Sequence, residues 1–499
     1  LLQPGIDQAL RPRLDQTLEL TRSPIRVTFW PAFLEKQMTA LPNLLRSNER
    51  TAWEKDRDHV LHPYTDFSTF AESGSQIIEK AQGMYVTDTQ GRKFLDGIAG
   101  LWCVNIGHGR AEMAEAVSRQ IMDMQYYNPF GASSNIPAAE LGARLAELAP
   151  GSLNHVYYSC GGSTANEMAV RIAQYYFAMK GMPFKRKIIS RNNGYHGGTY
   201  IAASLTGIHG TKYGFNQVGE DFIHHISAAD LYAKPTDMTD AAYCDFLVNE
   251  FENRIVQLGP NNVAAFIAEP IMGAGGVLVA PDGYHAAMRK VCTRYDVLYI
   301  ADEVVTAFGR LGEWFASASV YNYQPDMIVS AKGITSGYIP LGATLISDEI
   351  YDVISRPQCE GGVFSMGLTY FGHPVACAAA LKNIEIMERE RLLENASGTG
   401  AYLQQAAKKL LDLDIVGDVR GRGLMLGIDL VADKATKVPL PISENAAERI
   451  FTGCIERGVI VRPVGSRIIV SPPLIIDRVQ CDTIVSAIMD AIKDFMAAR

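Results

Sequence analysis

Long apolar runs, a strongly basic stretch, paired cysteines and low-complexity tracts are all missing from this sequence. No uninterrupted apolar run reaches the roughly 18 residues that a membrane span needs. Charges run through the N-terminal stretch and leave no secretory hydrophobic region. With 54 acidic against 46 basic residues and a net charge of -8, there is no basic stripe to neutralise phosphates, which argues against nucleic acid as a partner. The cysteines (Cys103, Cys160, Cys244, Cys292, Cys359, Cys377, Cys454, Cys481) include no C-x-x-C pair and no histidine at zinc-ligand spacing. No metal site is expected, and buried thiols in a reducing, cytoplasmic compartment are. Whether a presequence stands before Leu1 is left open. The 44 glycines and 23 prolines are near average usage, which excludes collagen-like architecture.

What is present is material for a large core: 47% apolar and 20% charged residues in a chain of 499. That length suits about three domains, or one large domain with an appendage. Residues 1–60 stand apart, with a single glycine, many charges and an amphipathic stretch placing Leu34, Met38, Leu41 and Leu45 at helical spacing. They read as an extension that packs on the body or on a partner subunit. Met84 to Asp96 reads as a β-hairpin turning at Gly91. From about residue 110 to 350 short apolar runs alternate with segments of helical period, the pattern of βα units and a mostly parallel sheet flanked by helices. Beyond Pro374 come a long helical stretch, a strand at Ile415–Arg420, another at Leu424–Leu430, and a last helix capped by Asp477 that puts Cys481, Val485, Ile488, Ile492 and Phe495 on one face. The expected fold is α/β, a large domain with a smaller α/β domain. Its divisions are 1–60 (extension), 61–110 (N-terminal part of the small domain and active-site segment), 111–374 (large domain) and 375–499 (C-terminal small domain).

In an open parallel sheet, ligands bind beyond the carboxyl ends of the strands. Val156–Tyr158 leads to Cys160-Gly161-Gly162-Ser163-Thr164, and Lys187–Ile189 leads to Asn193-Gly194-Tyr195-His196-Gly197. The runs ending at Ala268, Ala301 and Val329 lead to Glu269, to Asp302-Glu303 and to Lys332. Each alone is ordinary: Thr164 with Glu167 fits a capping box, which would explain that stretch structurally. Together they make chemical sense. Backbone N–H groups of Gly161-Gly162-Ser163 at a helix N-terminus suit a phosphate, and Tyr195 offers a ring face. Asp302 suits a protonated heterocyclic nitrogen, and Lys332 in an apolar setting suits a Schiff base with an aldehyde. A phosphate, a flat ring with a basic nitrogen and an aldehyde describe pyridoxal phosphate.

At these residues the sequence resembles the class III, fold-type I, pyridoxal-phosphate aminotransferases, and within them the omega (amine:pyruvate) transaminases. The likeness spans about residues 60–497. It rests on Ala99-Gly100-Leu101-Trp102-Cys103-Val104-Asn105, Asn193-Gly194-Tyr195-His196-Gly197, Glu269-Pro270-Ile271-Met272-Gly273-Ala274-Gly275-Gly276, Asp302-Glu303-Val304, Phe308-Gly309-Arg310, Ala331-Lys332-Gly333, Leu368-Thr369-Tyr370-Phe371-Gly372-His373-Pro374 and Ser471-Pro472-Pro473-Leu474, in the family's order. The resemblance implies that Lys332 is the Schiff-base lysine and Asp302 the partner of the ring nitrogen. Tyr195 and Val304 would sandwich the ring. Gly161, Gly162 and Ser163 would hold the phosphate, with Thr369 reaching it from the other subunit of a homodimer or dimer of dimers with shared active sites. His196 and Glu269 would lie beside the cofactor. Two departures stand out: the family's Ser-Gly-Ser-Glu phosphate loop reads Gly161-Gly162-Ser163-Thr164, which loses one hydroxyl contact, and Ala307 replaces a frequent glycine.

The implied reaction passes an amino group from an amine or omega-amino acid to a keto acid in a ping-pong cycle, with Lys332 as the proton carrier. The resemblance makes Arg462, in Val459-Ile460-Val461-Arg462-Pro463-Val464-Gly465, the carboxylate ligand; Arg422 is a rival read as structural. Relatives that use 2-oxoglutarate often carry a glutamate at the position of Ala274, so the small neutral residue favours pyruvate. Leu101, Trp102 and Phe130 would shape the amine pocket, although the Trp102 indole suits core packing equally. The competing readings are a 2-oxoglutarate-using enzyme of the same class, a dialkylglycine-type decarboxylase or aminomutase on the same fold, and a non-catalytic scaffold.

Overall fold

A computed structural model describes residues 50–356 and 363–499. The expected amphipathic stretch from Leu34 to Leu45 and the thiol of Cys359 lie outside the described residues. The described chain forms two compact units, divided between Gln76 and Ile77.

In the first unit, Thr51 and Glu54 close a reciprocal capping box on the helix Ala52–His59, and Asp66 caps Phe67–Ser73. Gly74 ends the second helix at φ 58°, and a Cβ there would collide with the Trp53 indole, so only glycine lets the ring close over the turn.

The second unit opens with the expected hairpin. Strands β1 (Ile78–Gln82), β2 (Tyr85–Asp88) and β3 (Lys93–Asp96) are antiparallel neighbours, and Gly91 takes φ 77° in the turn between β2 and β3. The main sheet has seven strands: β4 (His155–Ser159), β5 (Lys187–Arg191), β6 (Ile223–Ile226), β7 (Val263–Ala268), β10 (Leu298–Asp302), β11 (Met327–Ser330) and β12 (Gly342–Ile346). Between β7 and β10, a two-residue ladder pairs β8 (Ile271–Met272) with β9 (Leu278–Val279). The spatial order of the main sheet is β4-β12-β11-β10-β7-β5-β6, and β12 alone runs opposite to the other six. Its inner strand β7 is apolar and buried throughout because both faces of the sheet are covered. Tyr299 and Ala301 of β10 enter one core layer, while Leu298 and Ile300 enter the other beside the helix Gly162–Met179.

Five of these seven strands coincide with the expected apolar runs; the two others are β6, whose Ile-His-His-Ile run breaks the apolar signal, and β12, which opens on a glycine. The C-terminal sheet joins β13 (Val416–Arg422), β14 (Met425–Asp433), β17 (Arg462–Val464) and β18 (Arg467–Val470), with β15 (Val438–Pro439) on β14. The short β16 (Val459–Ile460) pairs in parallel with β3, tying the two ends of this unit together. The closing helix Arg478–Ala497 has the expected Asp477 cap, completed by Gln480, and buries Cys481, Val485, Ile488, Ile492 and Phe495. Among the described residues, no helix is long and apolar enough to cross a membrane.

Candidate active site

Strand register decides which residues meet. Ala301 of β10 is level with Ala268 of β7 and with Ile328 of β11, so the next residue on each strand path is Glu269, Asp302 and Val329. Lys332 emerges from β11 at that same edge. β4 returns there too, since Tyr158 and Ser330 both pair with Ala343 of β12, and this delivers Gly161-Gly162-Ser163 beside them.

Asp302 is buried and both of its carboxylate oxygens are hydrogen-bonded. Its Oδ2 accepts from Asn166 Nδ2 at 2.7 Å and lies 2.7 Å from His196 Nδ1, and its Oδ1 accepts from the Val304 N–H at 3.1 Å. Asn166 also donates to the His196 carbonyl at 2.8 Å, while the His196 N–H donates to Thr206 Oγ1 at 2.9 Å. The carboxylate is thereby fixed in direction by two side chains from different elements. Asn166 is absent from the sequence-derived set. Its signal was an amide in a helix face otherwise made of Ala165, Met168, Ala169 and Ile172, all buried.

Lys332 follows β11 with φ 47°, a left-handed conformation that a non-glycine residue adopts only when its surroundings impose it. A Cβ at Gly333 would collide with Asn105 Nδ2, so the segment after Trp102 packs directly on the lysine turn. Burial of the ammonium lowers the Lys332 pKa; Cys103, Asp302 and Glu269 oppose that shift, and the Arg462 guanidinium adds to it. These groups share one electrostatic neighbourhood. Cys103, whose Sγ lies 3.1 Å from the Leu101 carbonyl, is a member that sequence reading did not single out.

Glu269 is buried and joins two loops: Oε1 accepts from the Tyr195 N–H and Oε2 from the Gly273 N–H, each at 2.9 Å. Arg191 Nη2 donates to its carbonyl at 2.5 Å. Burial outweighs these bonds and raises the carboxyl pKa.

The helix Gly162–Met179 begins without a side-chain cap, so its first N–H groups are not claimed by a capping residue. The expected capping box does not form. Thr164 Oγ1 donates to the Gly161 carbonyl at 2.9 Å, and Glu167 Oε1 instead accepts from the Ile201 N–H at 2.9 Å, bracing the helix Tyr200–Leu205. Ser163 Oγ accepts from the Gly198 N–H at 3.1 Å, and Gly197 approaches it so closely that a Cβ would collide. A Cβ at Gly162 would sit 3.0 Å from both Val304 methyls, which places Val304 against the first turn.

An open helix N-terminus with a serine hydroxyl, a fixed carboxylate and a lysine of lowered pKa fit the phosphate, the ring nitrogen and the aldehyde carbon of pyridoxal phosphate. Among the described residues, no cluster of three or more His, Cys, Asp or Glu side chains is placed to hold a metal ion.

The proposed substrate side divides. Arg462 on β17 is half-buried and acts on Lys332, whereas Arg422 is exposed, with its guanidinium 5.6 Å from the Tyr321 ring. Leu101 is half exposed. Trp102 is 3% exposed in a core cluster with Ile271, Val277, Leu311 and Met425, so its indole is a packing element. Phe130 and Thr369 stand at the surface: the Phe130 ring lies over Gly367, and the Thr369 carbonyl accepts from Tyr126 Oη at 2.9 Å.

The Aminotransferase class-III family model matches residues 69–492. The chain is 41% identical over 447 residues to the putrescine–pyruvate aminotransferase of Pseudomonas aeruginosa, covering 89% of this chain and 96% of that protein. It is 39% identical over 441 residues to the diaminobutyrate–2-oxoglutarate transaminase of Halomonas elongata, covering 87% and 94%. Among solved structures it is similar to a thermostable (S)-enantioselective omega-transaminase from Thermomicrobium roseum, with a TM-score of 0.86, 42% identity and coverage of 89% and 98%. It is also similar to the omega transaminase of Pseudomonas jessenii in complex with PMP, with a TM-score of 0.87, 36% identity and coverage of 90% and 99%.

Proposed function

Because this chain belongs to the class-III aminotransferases, enzymes that depend on pyridoxal phosphate, we propose that it moves an amino group from an amine or omega-amino acid to pyruvate. The observation that carries the acceptor is the half-buried Arg462, whose guanidinium adds to the lowering of the Lys332 pKa, in a chain whose Ala274 supplies no carboxylate. The cofactor, when bound, supplies an electrophilic carbon to hold the amine and a protonated ring to take up the electrons of a broken C–H bond.

The chain's own residues do the rest. Gly162 and Ser163 would hold the phosphate at the helix N-terminus, and Tyr195 and Val304 would flank the ring. Asp302, oriented by Asn166 and His196, would keep a proton on the ring nitrogen. Lys332, its pKa lowered by burial, holds a neutral amine at lower pH than an exposed lysine and so can take up a proton at Nζ and give it back. Arg462 pairs with the keto-acid carboxylate in one half-reaction and withdraws from an apolar amine in the other. Leu101 would contact the amine, and Phe130 and Thr369 would serve the site of a partner subunit in a homodimer. A reducing, cytoplasmic setting suits the seven described cysteines, all of them free.

Alanine formation from pyruvate across a panel of diamines, omega-amino acids and aryl amines tests the reading, with 2-oxoglutarate as the competing acceptor. Arg462→Ala is expected to raise the pyruvate KM about tenfold or more, the loss of one charge-assisted pair, and to leave the KM for an apolar amine within about twofold. Equal effects on both, or carbon dioxide release without any keto acid, would overturn the proposal.

A further inference from the structure

The turn from Gly273 to Val277 carries Ala274, and it is held under strain. Val277 is buried with φ 55°, a left-handed conformation that a β-branched residue adopts only under constraint. Gly275 lies so close to the Asn193 carbonyl that a Cβ would collide, and Gly276, at φ 117°, has no room for a Cβ beside Arg467 Cδ. Three successive carbonyls of this turn point at two arginines of the C-terminal sheet. Arg467 Nη1 donates to Gly275 at 3.1 Å; Arg420 Nη2 donates to Gly276 at 2.7 Å and its Nε to Val277 at 3.0 Å. Both guanidiniums are anchored by Asp429: Arg467 Nε donates to its Oδ1 at 2.6 Å, and Arg420 Nη1 pairs with its Oδ2. Asp418 lies 2.8 Å from Arg420 Nη1 and Asp230 lies 3.8 Å from Arg467 Nη2. The arginines are therefore charge-compensated while their remaining N–H groups grip the turn.

Arg467 begins β18, directly opposite Val464 of β17, and the first residue of β17 is Arg462. One two-stranded hairpin thus carries both the arginine that meets the acceptor and the arginine that fixes the turn beneath Ala274. We infer that Arg467, seconded by Arg420, is a positioning residue for acceptor choice: it locks the Ala274 turn to the strand pair bearing Arg462, so that the two sides of the carboxylate site keep a set spacing. This rests on the carboxylate role proposed for Arg462.

The test uses Arg467→Met and Arg467→Lys holoenzymes. In Arg467→Met, amide hydrogen exchange of the segment 273–279 is expected to accelerate at least about tenfold, while the main-sheet strands exchange as in the unaltered protein. The pyruvate KM should rise about tenfold, with donor KM and kcat changing less than about threefold, and Arg467→Lys should recover part of both effects. Unchanged exchange in 273–279, or donor and pyruvate KM rising together, overturns the inference. Faster exchange with a selective pyruvate effect, alongside an Arg462→Ala enzyme that is unaffected, upholds the clamp and discards only the role of Arg462.

Discussion

Glu269 shows how much a single side chain carries here. Its two oxygens each accept one backbone N–H, from loops at different strand ends, so an amide in its place would aim a donor at a donor. Its pKa is nonetheless raised, because burial penalises the anion more than the two bonds favour it. Between the ordinary carboxyl value and the raised one, the folded state keeps a proton that the unfolded chain has released, so its contribution to stability is full at low pH and is lost as pH rises through the raised value. Urea unfolding of cofactor-free protein should therefore show the stability difference between the unaltered chain and Glu269→Gln shrinking with pH over that window, by at most about 1.4 kcal/mol per pH unit, then levelling off. A difference that widens would refute the assignment. Glu269 was visible in the sequence as an acid after an apolar run. That it ties Tyr195 to Gly273 was not, because both partners are main-chain groups with no signature of their own.

At the scale of elements, the informative segment is Asp96 to Asn105. Ala99, Gly100 and Trp102 all take positive φ (49°, 65° and 65°), and what steadies them is Asp96, buried at the end of β3. Its Oδ2 accepts from the Gly100 N–H at 2.7 Å and lies 2.9 Å from His108 Nε2, while Oδ1 accepts from the Ile98 N–H at 3.1 Å. Asp96→Asn must forfeit at least one of these bonds, and we expect a loss of about 1–3 kcal/mol, read as a lower urea midpoint with an unchanged slope. Because the segment presents Leu101, the KM for bulky amine donors should change more than kcat; a fall in kcat alone would count against this placement. Hairpin, helix and core strands were legible from apolar period and turn residues. The contorted stretch was not, since a run reading Ala-Gly-Leu-Trp has no local pattern that specifies it, and the conformation is imposed by a carboxylate below it. The capping-box expectation failed for a related reason: Glu167 had a second helix end within reach, which no spacing rule along one helix can register.

For the whole molecule, Leu101, Tyr127, Phe130 and Tyr370 are each at least 50% exposed, large side chains that association with another subunit could cover. The proposed homodimer would bury them. Sedimentation equilibrium should give twice the 54.6 kDa chain mass, and Tyr370→Glu should shift the protein toward monomer with a parallel loss of activity; a fully active species at the chain mass would exclude shared sites. The pairing of β3 with β16 supports the proposal that the C-terminal residues and the hairpin segment build one smaller domain. The sequence by itself determined the chemistry: apolar runs set the strands, and the residues that follow them are a lysine, two acids, a glycine-serine turn and a tyrosine, because side-chain identity and local period are properties of the chain. Tertiary structure alone decided which of those groups are level with one another, that Trp102 packs inside the core, that Asn166 and His196 aim Asp302, and that two distant arginines hold the Ala274 turn. Register, burial and close approach arise between separate segments, 30 residues apart for Asn166 and His196 and 192 for Arg467 and Gly275, and no stretch of sequence read along its own length contains them.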